Sequence, residues 1–228
     1  ELVSVFQGLD FADQLGLRCS AEPGTRLTIE NAPDLDAGPS NLVMRALLAY
    51  AEAAQLEGGL ECALEKHIPL AGGLGGGSSD AAAALRLAEA AQDRPLGVEK
   101  LHQVAASLGS DVPFFLHLPT ALARGRGECL KHLAPPSRPL WVVLAVPPFG
   151  CSTPEVYHRL EGRFTQAAQA EAEARQLAEA LARGASTAEL APLLANDLQA
   201  PALEVAPALG DLIGLLEECG APRVLVSG

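Results

Sequence analysis

"HIPLAGGLGGGSSDAAAAL", residues 67–85, places five glycines within positions 72–77 and then runs straight into alanines, the best helix formers. Glycine accepts positive φ and lets consecutive N–H groups point into one concavity. A helix that starts at the end of such a loop adds unpaired N–H donors and about half a positive charge. The stretch therefore predicts an anion-binding loop that opens a helix. Ser78 and Ser79 can donate hydroxyls to phosphate oxygens or ligate a magnesium ion, and Asp80 is expected in the first helical turn. No G-x-x-x-x-G-K-[ST] loop can be fitted, and G-x-G-x-x-G fails because Ser78 stands where the third glycine counted from Gly73 and Gly75 is required. A bare glycine cluster of this kind is equally consistent with a turn that merely packs a helix closely on a sheet.

Immediately upstream, "GLECALEKHIP" alternates with Leu60, Cys62 and Leu64 on one side, so a strand delivers the chain into the glycines. Further upstream, Leu2-Val3-Ser4-Val5-Phe6, Leu15-Gly16-Leu17-Arg18-Cys19 and Arg26-Leu27-Thr28-Ile29-Glu30 have the same period of two between Asp, Gly and Pro turns, and predict strands. "GPSNLVMRALLAYAEAAQ" switches to helical spacing, with Leu42, Ala46, Leu47 and Tyr50 on one face and Ser40 or Asn41 placed to cap it. Downstream come a helix at about 98–108, the segment "GSDVPFFLHL", and a hairpin "TALARGRGECLKHL" turning at Gly125 and Gly127. Residues 140–146, apolar and bounded by prolines, predict a buried strand and a domain seam. "FTQAAQAEAEARQLAEALARG" predicts an amphipathic helix closed by Gly184, and residues 211–219 predict another before a last strand near Val224. No internal repeat interrupts this order.

The chain has 228 residues, 49% of them hydrophobic, enough for one large domain or two small ones. No apolar run approaches the ~18 residues of a membrane span, and no secretory leader opens the sequence, so a cytoplasmic protein without a membrane partner is expected. Cys19, Cys62, Cys129, Cys151 and Cys219 are odd in number and never spaced C-x-x-C, which predicts reduced, mostly buried thiols. His67, His102, His117, His132 and His158 share no ligand spacing, so no metal-ligating residue is assigned. A net charge of −12 disfavours nucleic acid as a partner and requires any phosphorylated ligand to be held by local dipoles and a few cations. The sequence starts at Glu1 within an alternating strand and stops at "RVLVSG", and so reads as cut at both ends.

The run from Pro69 to Ala82 resembles the second motif of the GHMP kinases, the superfamily named for galactokinase, homoserine kinase, mevalonate kinase and phosphomevalonate kinase. "SVFQGLDFADQL" (4–15), "SNLVMRA" (40–46), "LGSDVPFFL" (108–116) and "STPEVY" (152–157) are similar to the branch that acts on a cytidine-diphosphate conjugate of methylerythritol in non-mevalonate isoprenoid precursor synthesis. The resemblance runs nearly end to end. It implies an α+β, two-lobed fold, with an ATP-binding lobe over residues 1–146, an α+β lobe over 147–228 and the active site in the cleft between them. It also implies transfer of phosphate from ATP, with Mg²⁺, to a hydroxyl of that conjugate.

By the same resemblance Pro69, Leu70, Ala71, Gly72, Gly73, Leu74, Gly75, Gly76, Gly77, Ser78 and Ser79 would wrap the triphosphate. Lys66 and Asn41 would lie near the nucleotide, Asp111 would be catalytic and contact the substrate, and Thr153 and Pro154 would line the cytidine pocket. The family's first motif, with a catalytic lysine and a tyrosine-histidine pair for cytosine, would precede Glu1, and its third, a serine-glycine loop, would continue past Ser227 and Gly228. The complete gene product, rather than this chain alone, is then expected to be active.

Each residue also has a plainer reading from the sequence itself. Asp111 suits an N-cap with Pro113 in the first turn, Asn41 suits a cap, Lys66 a strand-end surface charge, and Thr153 and Pro154 a helix start. Two rivals remain open at this level: another small-alcohol kinase of the superfamily, and a nucleotide-sensing relative without catalysis. Oligomeric state is not legible.

Overall fold

A computed structural model describes residues 2–117, 119–160, 162 and 164–227. Three strands, β2 (Gln14–Ser20), β3 (Thr25–Glu30) and β4 (Gly59–Glu65), form one sheet in the order β2-β4-β3. The β2–β4 pair is antiparallel, while β3 and β4 run parallel, which requires a crossover. That crossover carries α1 (Leu42–Ala53), and β4 leads through the glycines into α2 (Gly76–Ala90). Leu60, Cys62 and Leu64 point inward as their alternation predicts and meet Leu47 and Tyr50 of α1. The fully buried Ala81, Ala82, Ala84, Leu85 and Ala88 of α2 close the core, small side chains letting that helix approach α1 closely. On the outward face Glu61 joins Arg18 and Arg26 across the strands.

A second sheet, ordered β1-β5-β6, is antiparallel throughout and pairs β1 (Leu2–Gln7) with β5 (Thr120–Gly125) and β5 with β6 (Cys129–His132). The hairpin turns at Gly125 and Gly127, whose φ values of 75° and 111° account for the glycines. In chain order α3 (Val98–Leu108) and α4 (Val112–His117) come between β4 and β5; α3 packs on α1 and α2, and α4 on α2. Glu89 of α2 ties these parts together, accepting from the Tyr50 hydroxyl at 2.7 Å and from the N–H groups of Leu96 and Gly97 at 2.9 and 2.7 Å.

The rest of the chain is helical: α5 (Thr153–Leu160), α6 (Ala167–Ala182), α7 (Thr187–Leu190), α8 (Gln199–Val205) and α9 (Ala208–Glu218). The alanine-rich α6 ends as expected at Gly184, φ 73°. Ala180 and Leu181 bury themselves with Leu190 and pack on Val5 of β1 and Leu140. Arg124 of β5 grips Glu171 of α6.

Three expectations fail here. Residues 140–146 form no strand: Trp141 is 97% exposed and Val143 84%, and only Leu140 reaches a core. Nor does the segment near Val224 join a ladder, so no strand is found among the described residues of 147–227; the Val226 carbonyl instead accepts from the Asn196 side chain at 2.8 Å. An apolar stretch makes a strand only where a second strand supplies ladder partners, and neither stretch has one among the described residues. The thiols are not mostly buried either. Cys62 is, and burial pushes its pKa up to about 11, whereas Cys151 is half-buried and Cys19, Cys129 and Cys219 are exposed.

Candidate active site

Beyond β4 the chain turns through three left-handed residues, Ala71 (φ 55°), Gly73 (65°) and Gly75 (67°), before α2 begins. Gly75 is the N-cap, and no side chain caps the helix. The first intrahelical bond runs from the Ser79 N–H to the Gly75 carbonyl at 2.8 Å, which leaves the N–H groups of the first turn without an intrahelical acceptor. Loop and helix thus have the form of an anion cradle. Gly77 and Ser78 already belong to the helix, and the Ser79 hydroxyl donates to the Gly76 carbonyl at 2.8 Å.

Asp80 is not in the first turn. It lies one turn further in, its side chain 4% exposed, where its Oδ2 accepts from Lys66 Nζ at 2.8 Å. Lys66 also bonds to Asp13, and the Lys66 and Asp13 side chains are 5% and 1% exposed. Asp13 Oδ1 accepts from the N–H groups of His67 and Ile68 at 2.5 and 2.8 Å, where the loop leaves the sheet. Burial raises the Asp13 carboxyl, but Lys66 and the two backbone donors outweigh it and hold it low. Burial works against the Lys66 charge, and the two carboxylates more than restore it. One ammonium cannot neutralise both, so Asp80, pushed by burial and by Asp13, rises to about 7.

Two cavities flank this cluster. One of about 270 Å³ lies between residues 31–34 and 66–70. The other, about 220 Å³, has Asp36, Asn41, Lys66, Leu70, Gly77 and Asp80 among its lining residues. Asn41 caps α1: its Oδ1 accepts from the Val43 N–H at 2.9 Å and its Nδ2 donates to the Asp36 carbonyl at 2.7 Å. It therefore borders the cavity with both ends of its amide engaged.

Asp111 directly precedes α4, and its carbonyl accepts from the Phe114 N–H at 3.1 Å. Its half-buried carboxylate accepts from the Ser110 hydroxyl at 3.4 Å and faces Gly127 of the hairpin turn, where a Cβ would stand 3.2 Å from Oδ1. One turn on, Phe115 packs on Gly75, where a Cβ would come within 2.8 Å of its ring. The helix that carries Asp111 is thereby seated against the glycine loop. From the far end of the chain, the Ser227 hydroxyl donates to the Gly73 carbonyl at 3.0 Å. Thr153 and Pro154 sit apart from this group, at the exposed start of α5, which packs on α8.

Several of these contacts join residues far apart in the chain. Asp13 and Phe115 lie inside the motifs of residues 4–15 and 108–116, which assign them no role, and Ser227 is marked only as the start of a serine-glycine loop. A signal did exist for Lys66, because it occupies the next inward position after Leu60, Cys62 and Leu64, and an inward lysine needs carboxylate partners. Away from the site, His102, His117 and His132 meet from α3, α4 and β6, with ring centroids 5.8 and 5.2 Å apart. Among the described residues no group of three or more ligating side chains could hold a metal.

A profile of the GHMP kinases N terminal domain matches residues 41–117, which take in α1, the glycine loop and α4. The chain is 40% identical over all its 228 residues to the 4-diphosphocytidyl-2-C-methyl-D-erythritol kinase of Pelotomaculum thermopropionicum and spans 77% of that protein's length. A crystal structure of 4-(cytidine 5'-diphospho)-2C-methyl-D-erythritol kinase superposes on 96% of this chain and 79% of its own, with a TM-score of 0.68 and 31% identity. A homoserine kinase from Cytophaga hutchinsonii shares the fold at 20% identity and a TM-score of 0.71, covering 92% of this chain and 71% of its own.

Proposed function

The chain belongs to the GHMP kinase family and, within it, to the 4-diphosphocytidyl-2-C-methyl-D-erythritol kinases, and from that premise we propose that it transfers the γ-phosphoryl group of ATP to a hydroxyl of 4-diphosphocytidyl-2-C-methyl-D-erythritol, a step in isoprenoid precursor synthesis. The observation that carries this reading is the seating of α4, which Asp111 directly precedes, on the glycine loop through Phe115 and Gly75; it supports an Asp111 that works beside the phosphates. Phosphoryl transfer asks little covalent chemistry of a protein, so positioning and charge neutralisation dominate. The loop from Pro69 to Ser79 wraps the triphosphate, with donors drawn from the backbone N–H groups between its two ends and the N-terminus of α2, since Pro69 has none and that of Ser79 is spent on the Gly75 carbonyl. Asp111 orients the acceptor hydroxyl in line and takes its proton.

Nucleotide base and ribose occupy the cavity bordered by Asn41. Magnesium, when bound, would neutralise phosphate charge; on this chain the hydroxyl of Ser78 or Ser79 at the start of α2 fits that ion, the phosphates supplying the other oxygens. Thr153 and Pro154 line the cytidine side, a role supported by the resemblance of residues 152–157 alone. Residues 1–146 and 147–228 are the two lobes, and the bond from Ser227 to Gly73 supports a site at their junction. The cytoplasm, where ATP and the acceptor meet, is the proposed compartment. No helix among the described residues is long and apolar enough to cross a membrane, and the net charge of −12 disfavours nucleic acid.

Incubating the full-length protein with ATP and each of four acceptors tests the reading. The cytidine-diphosphate conjugate is expected to turn over fastest; faster turnover of mevalonate, homoserine or galactose overturns it.

A further inference from the structure

Asp13, Lys66 and Asp80 make the most deeply buried ionic cluster described, and phosphoryl transfer as set out above gives it no part. Its three members come from three segments that must be held in register for the cradle to exist: the turn before β2, the end of β4, and α2 one turn below its open N-terminus. Asp13 does two jobs at once. One oxygen holds the Lys66 ammonium, and the other holds the N–H groups of His67 and Ile68, the two residues from which the glycine loop departs. A Cβ on Gly76 would lie 3.0 Å from Ile68 and 3.5 Å from Lys66 Nζ, so the cluster is packed directly beneath the first turn of α2.

We propose that Asp13, Lys66 and Asp80 form a clamp beneath the phosphate-binding loop, in which Lys66 is a positioning residue bridging the sheet to α2 and not a ligand of the nucleotide phosphates. The proposal rests on the nucleotide reading above. The alternative, a lysine that contacts phosphate from the cavity it borders, makes the opposite prediction for Asp13→Asn. That substitution removes one of the two charges holding Lys66. A ligand lysine is then freer to reach phosphate, and affinity holds or improves, whereas a positioning lysine loses its hold on the sheet and the loop loosens.

The charge count adds a pH signature. Asp80 faces Lys66 and the Cys62 thiol from β4, Asp13 from the turn before β2, and Asp36 across the cavity, whose carboxylate the Ser40 hydroxyl and the Gly38 N–H keep ionised. With Asp80 protonated the cluster is neutral; once Asp80 ionises, near pH 7, a net negative charge sits under an anion site. ATP binding should therefore weaken as pH rises through that range, and Asp80→Asn should abolish the weakening.

Hydrogen exchange of residues 67–77 without ligand, and calorimetric ATP titrations at pH 6 and 8, test this on the full chain, wild type and variants. Asp13→Asn is expected to speed loop exchange while α1 and β4 stay protected, and to weaken ATP binding about tenfold or more, as small displacements of binding groups do. Asp80→Asn is expected to bind within about threefold of wild type at pH 6 and to lose the pH dependence. Unchanged loop protection or unchanged ATP affinity in Asp13→Asn overturns the clamp. Should that variant unfold, Asp13→Glu, which keeps the charge but displaces both backbone contacts, carries the same expectations and the same overturning results. If wild type binds no ATP, the nucleotide reading fails, and the exchange data, which need no ligand, still decide the clamp.

Discussion

Gly76 and Gly77 are neighbours in the first turn of α2, yet a side chain meets different surroundings at each. At Gly76 a Cβ presses on Ile68, so Gly76→Val is expected to cost about 1–3 kcal/mol of stability through overpacking as well as ATP affinity. At Gly77 nothing lies within 4 Å, and the residue borders the cavity assigned to the nucleotide. Gly77→Val is therefore expected to keep the melting temperature near that of wild type while ATP affinity falls; thermal melting beside calorimetric titration measures both, and a folded variant with unchanged affinity removes the cradle. Asp111 separates structure from chemistry in the same way. Asn keeps the shape and an acceptor oxygen for any capping role but not the basicity. Asp111→Asn should thus melt like wild type and bind both substrates, while single-turnover transfer falls about 10²- to 10⁴-fold, the usual worth of a general base. A rate within about tenfold of wild type would leave Asp111 a helix-start residue only.

Among the elements, α3, α4 and β6 meet in the row of His102, His117 and His132. The middle ring is half-buried, and burial, the other two rings and Arg86 all hold its pKa below the ordinary histidine value of 6.5. A lowered histidine makes the fold favour the neutral form. This contribution to stability is complete above pH 6.5 and is lost as pH falls from there through the folded-state pKa. Asp80, raised to about 7, acts oppositely over the same range. Urea midpoints are therefore compared from pH 7.5 to 5 in an Asp80→Asn background, where they should drop on the acid side and His117→Phe should flatten that drop; an unaltered acid slope would show that the row does not set it. Along the chain the five histidines are scattered, because spacing carries no information about a cluster assembled from two helices and a hairpin. The helices themselves were far more legible. Asn41 ahead of α1, Gly184 behind α6 and the alternation of β4 are local signals, set by capping, left-handed geometry and one buried face.

For the whole molecule, the division runs between what neighbours in sequence can decide and what needs a partner from elsewhere. The α+β class, the strands and helices of residues 2–132, the loop that opens α2 and, through long motifs, the family are legible in short stretches of chain. These follow from backbone freedom at glycine, periodic burial and helix-end chemistry, all of which act over a few residues. The strands expected at 140–146 and near Val224 show the limit, because an extended apolar stretch becomes a strand only if a ladder completes its backbone hydrogen bonds, and its own composition cannot say whether one will. The site divides the same way. The glycine loop is visible in its composition and Asp111 is singled out by the family resemblance, but that Phe115 seats the helix after Asp111 on that loop, that Ser227 reaches Gly73, and that Lys66 is buried between Asp13 and Asp80 emerges only when the chain packs. The physical reason is that a buried charge is tolerable only where opposite charges converge on it, and convergence of residues 13, 66 and 80 is a property of the packed sheet and helix rather than of any one segment.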